Sequence, residues 1–104
     1  MFLFSNINRG VEECRRTPGA LLVDVREPDE FAAGHIPGAI NAPLSALGET
    51  ELPAGRPLFL YCLRGSRAAR AAGILRRRGC DRVRSIGGIV GYRGEREGKP
   101  ATDR

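Results

Sequence analysis

Cys62-Leu63-Arg64-Gly65-Ser66-Arg67 is the segment of this sequence best equipped for chemistry. The apolar run Leu58-Phe59-Leu60-Tyr61 leads into it, and an alanine-rich helical pattern from Ala68 leads out. A thiol is therefore expected where a buried strand ends and a helix begins, ringed by backbone N–H groups and two guanidiniums. A helix N-terminus and a nearby arginine both favour the thiolate, and the thiolate is the nucleophilic form. Cys62 is the expected nucleophile. Leu63, Arg64, Gly65, Ser66 and Arg67 are the expected anion-binding loop, with their amides curled into a nest. The amides should contribute more than either guanidinium, because side chains at a rim can turn to water. All of this needs a reachable, ionised sulfhydryl at position 62, and a side chain sealed from solvent would defeat it. The plain alternative is a buried strand-end thiol without chemistry.

Other residues could support that thiol. Asp24 and Arg26 close the run Leu21-Leu22-Val23-Asp24-Val25 and fall on the same rim as Cys62. Asp24 reads as a supporting residue. Arg26 divides evenly between a place near the anion and a network with Asp24 or Glu27 that holds the loop. His35 is the single histidine and sits in the turn Gly34-His35-Ile36-Pro37-Gly38. A Cys–His pair is conceivable, but an already ionised thiol needs no base, so a hydrogen-bonded turn histidine is the better reading. No metal-ligand spacing is present. Gly87-Gly88 does not extend to a G-x-G-x-x-G fingerprint and reads as backbone turns. Cys14 and Cys80 read as small apolar fillers. A resolving role for Cys80 would require a closeness to Cys62 that sequence does not give.

The elements that must position these groups alternate. Ala20–Val25 and Leu58–Tyr61 are nearly unbroken apolar runs, as in parallel strands buried on both faces. Val83–Ile86 alternates and should be a less buried strand, and Met1–Asn6 reads as a first edge strand. Helical patterns cover Arg9–Arg16, Pro28–Ala33, Leu44–Leu47 and Ser66–Arg78. Pro28 suits a first helical turn, and Asp29 and Glu30 complement its positive end. Ser66 is the expected N-cap of the last helix, whose alanines allow close approach to a sheet. Strands alternating with helices imply right-handed crossovers and an α/β fold, with ligands at the carboxyl ends of the strands.

A chain of 104 residues, 41% hydrophobic and 28% charged, fits one soluble globular domain. It is taken as a single domain over 1–104, with a core of about 2–93 and a polar tail, 94–104, that is either loose or packed on the surface. No apolar run has membrane-spanning length, and the N-terminus does not read as a signal peptide. Three cysteines, with no C-x-x-C pair, argue against a disulfide framework and for a reducing cytoplasm. The net charge of +5 can draw in small anions. Nucleic-acid binding is the competing reading, but Arg76-Arg77-Arg78 closes a helix before Gly79, where cations complement the dipole. No aromatic stripe interleaves with the basic residues.

Four stretches together resemble the rhodanese family of single-domain sulfurtransferases. They are Leu22-Val23-Asp24-Val25-Arg26-Glu27-Pro28-Asp29-Glu30-Phe31, Gly34-His35-Ile36-Pro37-Gly38-Ala39-Ile40-Asn41-Ala42-Pro43, the Cys62 loop, and Gly87-Gly88-Ile89-Val90-Gly91-Tyr92. The resemblance spans roughly residues 2 to 93, in family order. Gly91-Tyr92 stands where many members carry a tryptophan, a departure that touches packing more than chemistry. The resemblance implies a five-stranded parallel sheet flanked by helices on both faces, with Cys62 in the loop after the fourth core strand. It also implies ping-pong sulfur transfer. Cys62 takes the outer sulfur of a small anionic donor such as thiosulfate, becomes a persulfide, and yields it to cyanide or a thiol. A thioredoxin-like or sulfur-relay protein is a candidate acceptor. No cofactor beyond the covalent persulfide, no metal, no nucleic acid and no membrane is expected. Two alternatives remain: a sulfur carrier or docking module with little turnover, and, ranked lower, a phosphatase- or arsenate-reductase-like enzyme. Cysteine phosphatases resemble C-x5-R, a loop that encloses a tetrahedral phosphate. The C-x4-R spacing from Cys62 to Arg67 suits one sulfur atom.

Overall fold

The computed structural model describes residues 6–53 and 55–99. Four parallel strands, β1 (Leu21–Asp24), β2 (Ile40–Asn41), β3 (Leu58–Cys62) and β4 (Val83–Gly88), stand in the order β2-β1-β3-β4. The fold is α/β, with a parallel sheet covered on both faces. Four strands rather than five are present among the described residues. Most of the edge strand expected at Met1–Asn6 lies outside them, and Asn6 instead caps helix α1 (Ile7–Arg16), its side chain accepting from the Asn8 and Arg9 amides. The short β2 carries no apolar run and went unread in the sequence. It forms because Val23 and Asp24 of β1 offer it a paired edge.

Strand alternation divides the core into two layers. On one side Leu58, Leu60 and Cys62 of β3 join Val23 and Val25 beneath helix α3 (Ser66–Arg77), whose Ala68, Ala71, Ala72 and Leu75 face the sheet. On the other side Phe59 and Tyr61 join Leu22 and Ile86 beneath Ile7, Val11 and Cys14 of α1. Gly10 lets α1 approach closely, since a Cβ there would stand 2.6 Å from the Ile86 Cβ. The short helix α2 (Pro28–Ala33) follows β1, and a 3-10 segment, Leu44–Glu49, follows β2. The arginines at the end of α3 bond to backbone: Arg76 donates to the Val83 carbonyl and Arg78 to the Leu47 carbonyl. Among the described residues no helix is long and apolar enough to cross a membrane.

The polar C-terminal segment packs on the surface as far as it is described. His35 and Glu97 exchange backbone hydrogen bonds of 2.7 and 2.8 Å, and the Lys99 amide donates to the Ala32 carbonyl at 2.7 Å. Gly98 permits this with a φ of +126° and a position where a Cβ would meet the Ala32 carbonyl oxygen at 2.6 Å.

Candidate active site

Cys62 is the last residue of β3, and the alternation that buries Leu58 and Leu60 under α3 points its side chain the same way. The next residues turn sharply, with Gly65 at φ +117°, a left-handed conformation that an L side chain rarely adopts. The chain then enters α3. The Cys62 Sγ accepts the Gly65 N–H at 3.0 Å and the Ala68 N–H at 3.3 Å.

This arrangement corrects the expected cap. Gly65, not Ser66, is the N-cap residue, and no side-chain oxygen takes up the first-turn amides. The sulfur does so: Ala68 is the third helical residue, and its amide is one that a serine cap would satisfy. Cys62 thus stands in for a capping side chain, and the positive end of a twelve-residue helix is directed at its sulfur. Ala68, read from sequence only as a packing residue, is a contact of the Cys62 sulfur.

A second correction concerns access. The sequence placed the thiol on a rim and required it to be reachable, yet Cys62 is 1% exposed and is closed to solvent as the loop stands. The cause is the strand register, which turns the side chain under its own loop rather than outward. Arg64 and Ser66 are exposed, while Leu63, Gly65 and Arg67 are half-buried. The sulfur is thus at the floor of the loop, against amides, and chemistry there requires the loop to admit a reactant.

Beneath the loop lies the Gly87-Gly88 pair, which does more than turn the chain. Cys62 pairs with Gly88 across the sheet. A Cβ on Gly88 would stand 2.2 Å from the Leu63 carbonyl oxygen and 2.4 Å from the Arg64 Cα. That carbonyl accepts the Val90 N–H at 3.2 Å. Only a residue without a side chain lets the loop rest on β4 this closely.

Asp24 and Arg26 form a buried pair. Arg26 Nη2 lies 2.8 Å from Asp24 Oδ2 with side-chain exposures of 7% and 0%. Asp24 also accepts the Arg26 backbone N–H at 2.9 Å, and Arg26 donates to the Gly34 carbonyl at 2.6 Å. Burial works against the Arg26 charge, but the hydrogen bonds and charge of Asp24 outweigh it and raise the guanidinium above its ordinary value. Arg26 ties β1 to the turn before His35 through its Nε and Nη2 groups, the network that sequence offered as one of its two readings. Asn41, to which the sequence reading gave no role, donates to the Asp24 and Arg26 carbonyls at 2.9 Å each.

Arg67 is likewise engaged, by a residue that sequence assigned only to a helix dipole. Its two terminal nitrogens donate to the two carboxylate oxygens of Glu30 at 2.8 and 3.1 Å. Glu30 Oε1 also accepts the Glu27 N–H at 2.9 Å. The Arg67 hydrogen bonds are the main reason the Glu30 carboxyl is lowered to about 2. In turn the hydrogen bonds and charge of Glu30 outweigh burial and raise Arg67.

The remaining candidates lie elsewhere. The His35 Nδ1 is 2.8 Å from the Phe31 carbonyl oxygen and its ring stacks on Phe31 at 3.7 Å. It is a hydrogen-bonded turn histidine. Cys14 belongs to the opposite layer of the core, and burial pushes its thiol up. Cys80 precedes Val83, which pairs with Leu58 at the far end of β3. Four residues at about 3.3 Å each put it roughly 13 Å or more from Cys62 along the strand.

The sequence matches the family described as a rhodanese-like domain over residues 9–95. It is 46% identical over 71 residues to the uncharacterized protein YqhL of Bacillus subtilis, covering 66% of this chain and 56% of that protein. The chain thus spans little more than half the length of that relative. It is 38% identical over 79 residues to a sulfurtransferase of Allochromatium vinosum, covering 73% of this chain and 74% of the relative. Among solved structures, a rhodanese-related protein of Thermoplasma volcanium superposes with a TM-score of 0.72 at 30% identity, covering 88% of this chain and 90% of that one.

Proposed function

The chain belongs to the rhodanese-like domain family, and on that premise we propose that it is a sulfurtransferase that carries sulfane sulfur on Cys62. The observation that carries the proposal is the pair of amides, from Gly65 and Ala68, that donate to the Cys62 sulfur. Its resemblance to a relative named as a sulfurtransferase supports the same reaction class.

In the first half-reaction the Cys62 thiolate attacks the outer sulfur of a donor such as thiosulfate. The S–S bond of the donor breaks, sulfite leaves with the electron pair, and Cys62 becomes a persulfide. The outer persulfide sulfur is anionic and needs donors. The first-turn amides of Ser66 and Arg67 have no intrahelical acceptor and face the same helix end, so they suit that role. In the second half-reaction a thiolate or cyanide takes the outer sulfur and Cys62 leaves as the thiolate. Neither Cys14 nor Cys80 stands within reach to do this, so the acceptor comes from outside: cyanide, a small thiol, or a thiol of a thioredoxin-like or sulfur-relay protein. No cofactor, metal, nucleic acid or membrane enters the scheme. Free cysteines and a persulfide intermediate suit a reducing cytoplasm.

Intact mass after thiosulfate treatment tests the proposal. One added sulfur on Cys62, removed by cyanide, is expected. Cys62→Ser should gain none and should lose thiosulfate:cyanide turnover. A serine variant that turns over like the unaltered protein would refute the assignment. So would a native protein whose Cys62 reacts with neither thiosulfate nor iodoacetamide, since the buried thiol must be reachable.

A further inference from the structure

We infer that Glu30 sets the donor preference of the Cys62 site, holding Arg67 away from anionic donors so that a persulfide of low charge is used in preference to dianionic thiosulfate. The inference rests on the sulfur-transfer reading and deepens it.

Three arginines bear on the site, and two are already engaged by carboxylates. Arg26 is buried against Asp24 and the Gly34 carbonyl. Arg67, on the first turn of α3 one residue before the Ala68 amide that meets the Cys62 sulfur, is gripped by both oxygens of Glu30. A forked pair of this kind satisfies the planar guanidinium in the way a dianionic donor would otherwise do. Only Arg64 is exposed. Glu30 is also not a free-swinging side chain. Its Oε1 is fixed by the Glu27 amide at 2.9 Å, and the pair is about two-thirds withdrawn from water, with side-chain exposures of 31% for Arg67 and 29% for Glu30. A fixed negative charge therefore stands beside the helix end that must receive the donor.

The consequence differs between donors. Thiosulfate brings two negative charges past Glu30 and meets an arginine whose charge is already balanced. A persulfide, R–S–SH, transfers the same atom with less charge. The Cys62 thiolate attacks its outer sulfur, the S–S bond breaks, and R–S⁻ leaves with the pair and takes up a proton. The loop amides suffice for that step.

The test compares kcat/KM for thiosulfate and for cysteine persulfide, a donor without net charge at its amino-acid end, in the unaltered protein and in Glu30→Gln. Glutamine keeps an oxygen for the Glu27 amide and for one Arg67 N–H but removes the charge. The thiosulfate-to-persulfide ratio should rise about tenfold, the effect of removing one partly screened charge near a dianion. Glu30→Ala, which puts a good helix former in the same place, should move the ratio the same way and serves if the glutamine variant fails to fold. A ratio that stays within about twofold in both variants overturns the inference. If Cys62 takes up sulfur from neither donor in any of the proteins, the sulfur-transfer reading fails and the inference with it. Uptake from both donors at an unchanged ratio leaves that reading standing and removes only the role of Glu30.

Discussion

At the scale of single residues, charge placement governs both the site and its stability. Arg67 sits at the positive end of α3, where a cation is unfavourable by a few tenths to about 1 kcal/mol. Glu30 offsets this through two hydrogen bonds. Because folding lowers the Glu30 carboxyl to about 2 from an ordinary 4.5, its contribution is complete above about pH 4.5 and is lost as pH falls through 2. Partial exposure limits that contribution to about 1 kcal/mol. Thermal melts of the unaltered protein and Glu30→Gln should differ steadily between about pH 7 and 5 and converge towards pH 2. Melts that diverge in acid would contradict the sign. Asp24 is more consequential. Asp24→Asn would leave Arg26 buried without its counter-charge, a loss of about 3–5 kcal/mol. Urea denaturation should register that loss directly, and a midpoint unchanged by the substitution would show that the pair does not hold β1 to the following turn.

At the scale of elements, the decisive contact joins the Cys62 loop to β4. Gly88 meets the loop backbone at distances no Cβ tolerates, and the obstacle is backbone rather than a flexible side chain. Gly88→Ala must therefore push the Leu63–Gly65 turn away from the sheet and lengthen the Gly65 N–H contact to sulfur. Turnover should fall by at least about 100-fold, in line with the sensitivity of catalysis to misplacements of about 1 Å. Thermal stability should fall by roughly 1–3 kcal/mol, the usual cost of overpacking. Gly91→Ala is the control, because a Cβ there meets only the Ile7 Cγ2 at an ordinary 3.5 Å. Equal losses of turnover in the two variants would dismiss the seat on β4 as a positioning device.

At the scale of the whole molecule, the three cysteines stand apart, Cys14 across the sheet and Cys80 on the same face as Cys62 but towards the other end of its strand. Cys62 lies at the carboxyl end of β3. In the proposed reaction, sulfur accepted at Cys62 has no internal thiol to receive it. A Cys14→Ala/Cys80→Ala double variant should retain sulfur uptake and turnover within about twofold, after allowance for about 1 kcal/mol of lost packing at Cys14. Turnover that collapses while Cys62 still gains sulfur would reveal an internal relay and overturn the account of an external acceptor.

The sequence by itself determined the α/β class, the strands around Leu22 and Leu60, the helix after the loop, and Cys62 as the residue to watch. These were legible because apolar runs, turn residues and a thiol between them are local signals, each confined to a few neighbouring positions. Only the tertiary structure decided where the charges go and how open the thiol is. Glu30 and Arg67 are 37 positions apart in the chain, and Gly88 follows Cys62 by a whole helix and strand, so no local pattern pairs them. The burial of Cys62 follows from the register of β3 under α3, and a register is a relation between strands rather than a property of one. The same relation made the sulfur the cap of the helix, a role that sequence had given to Ser66.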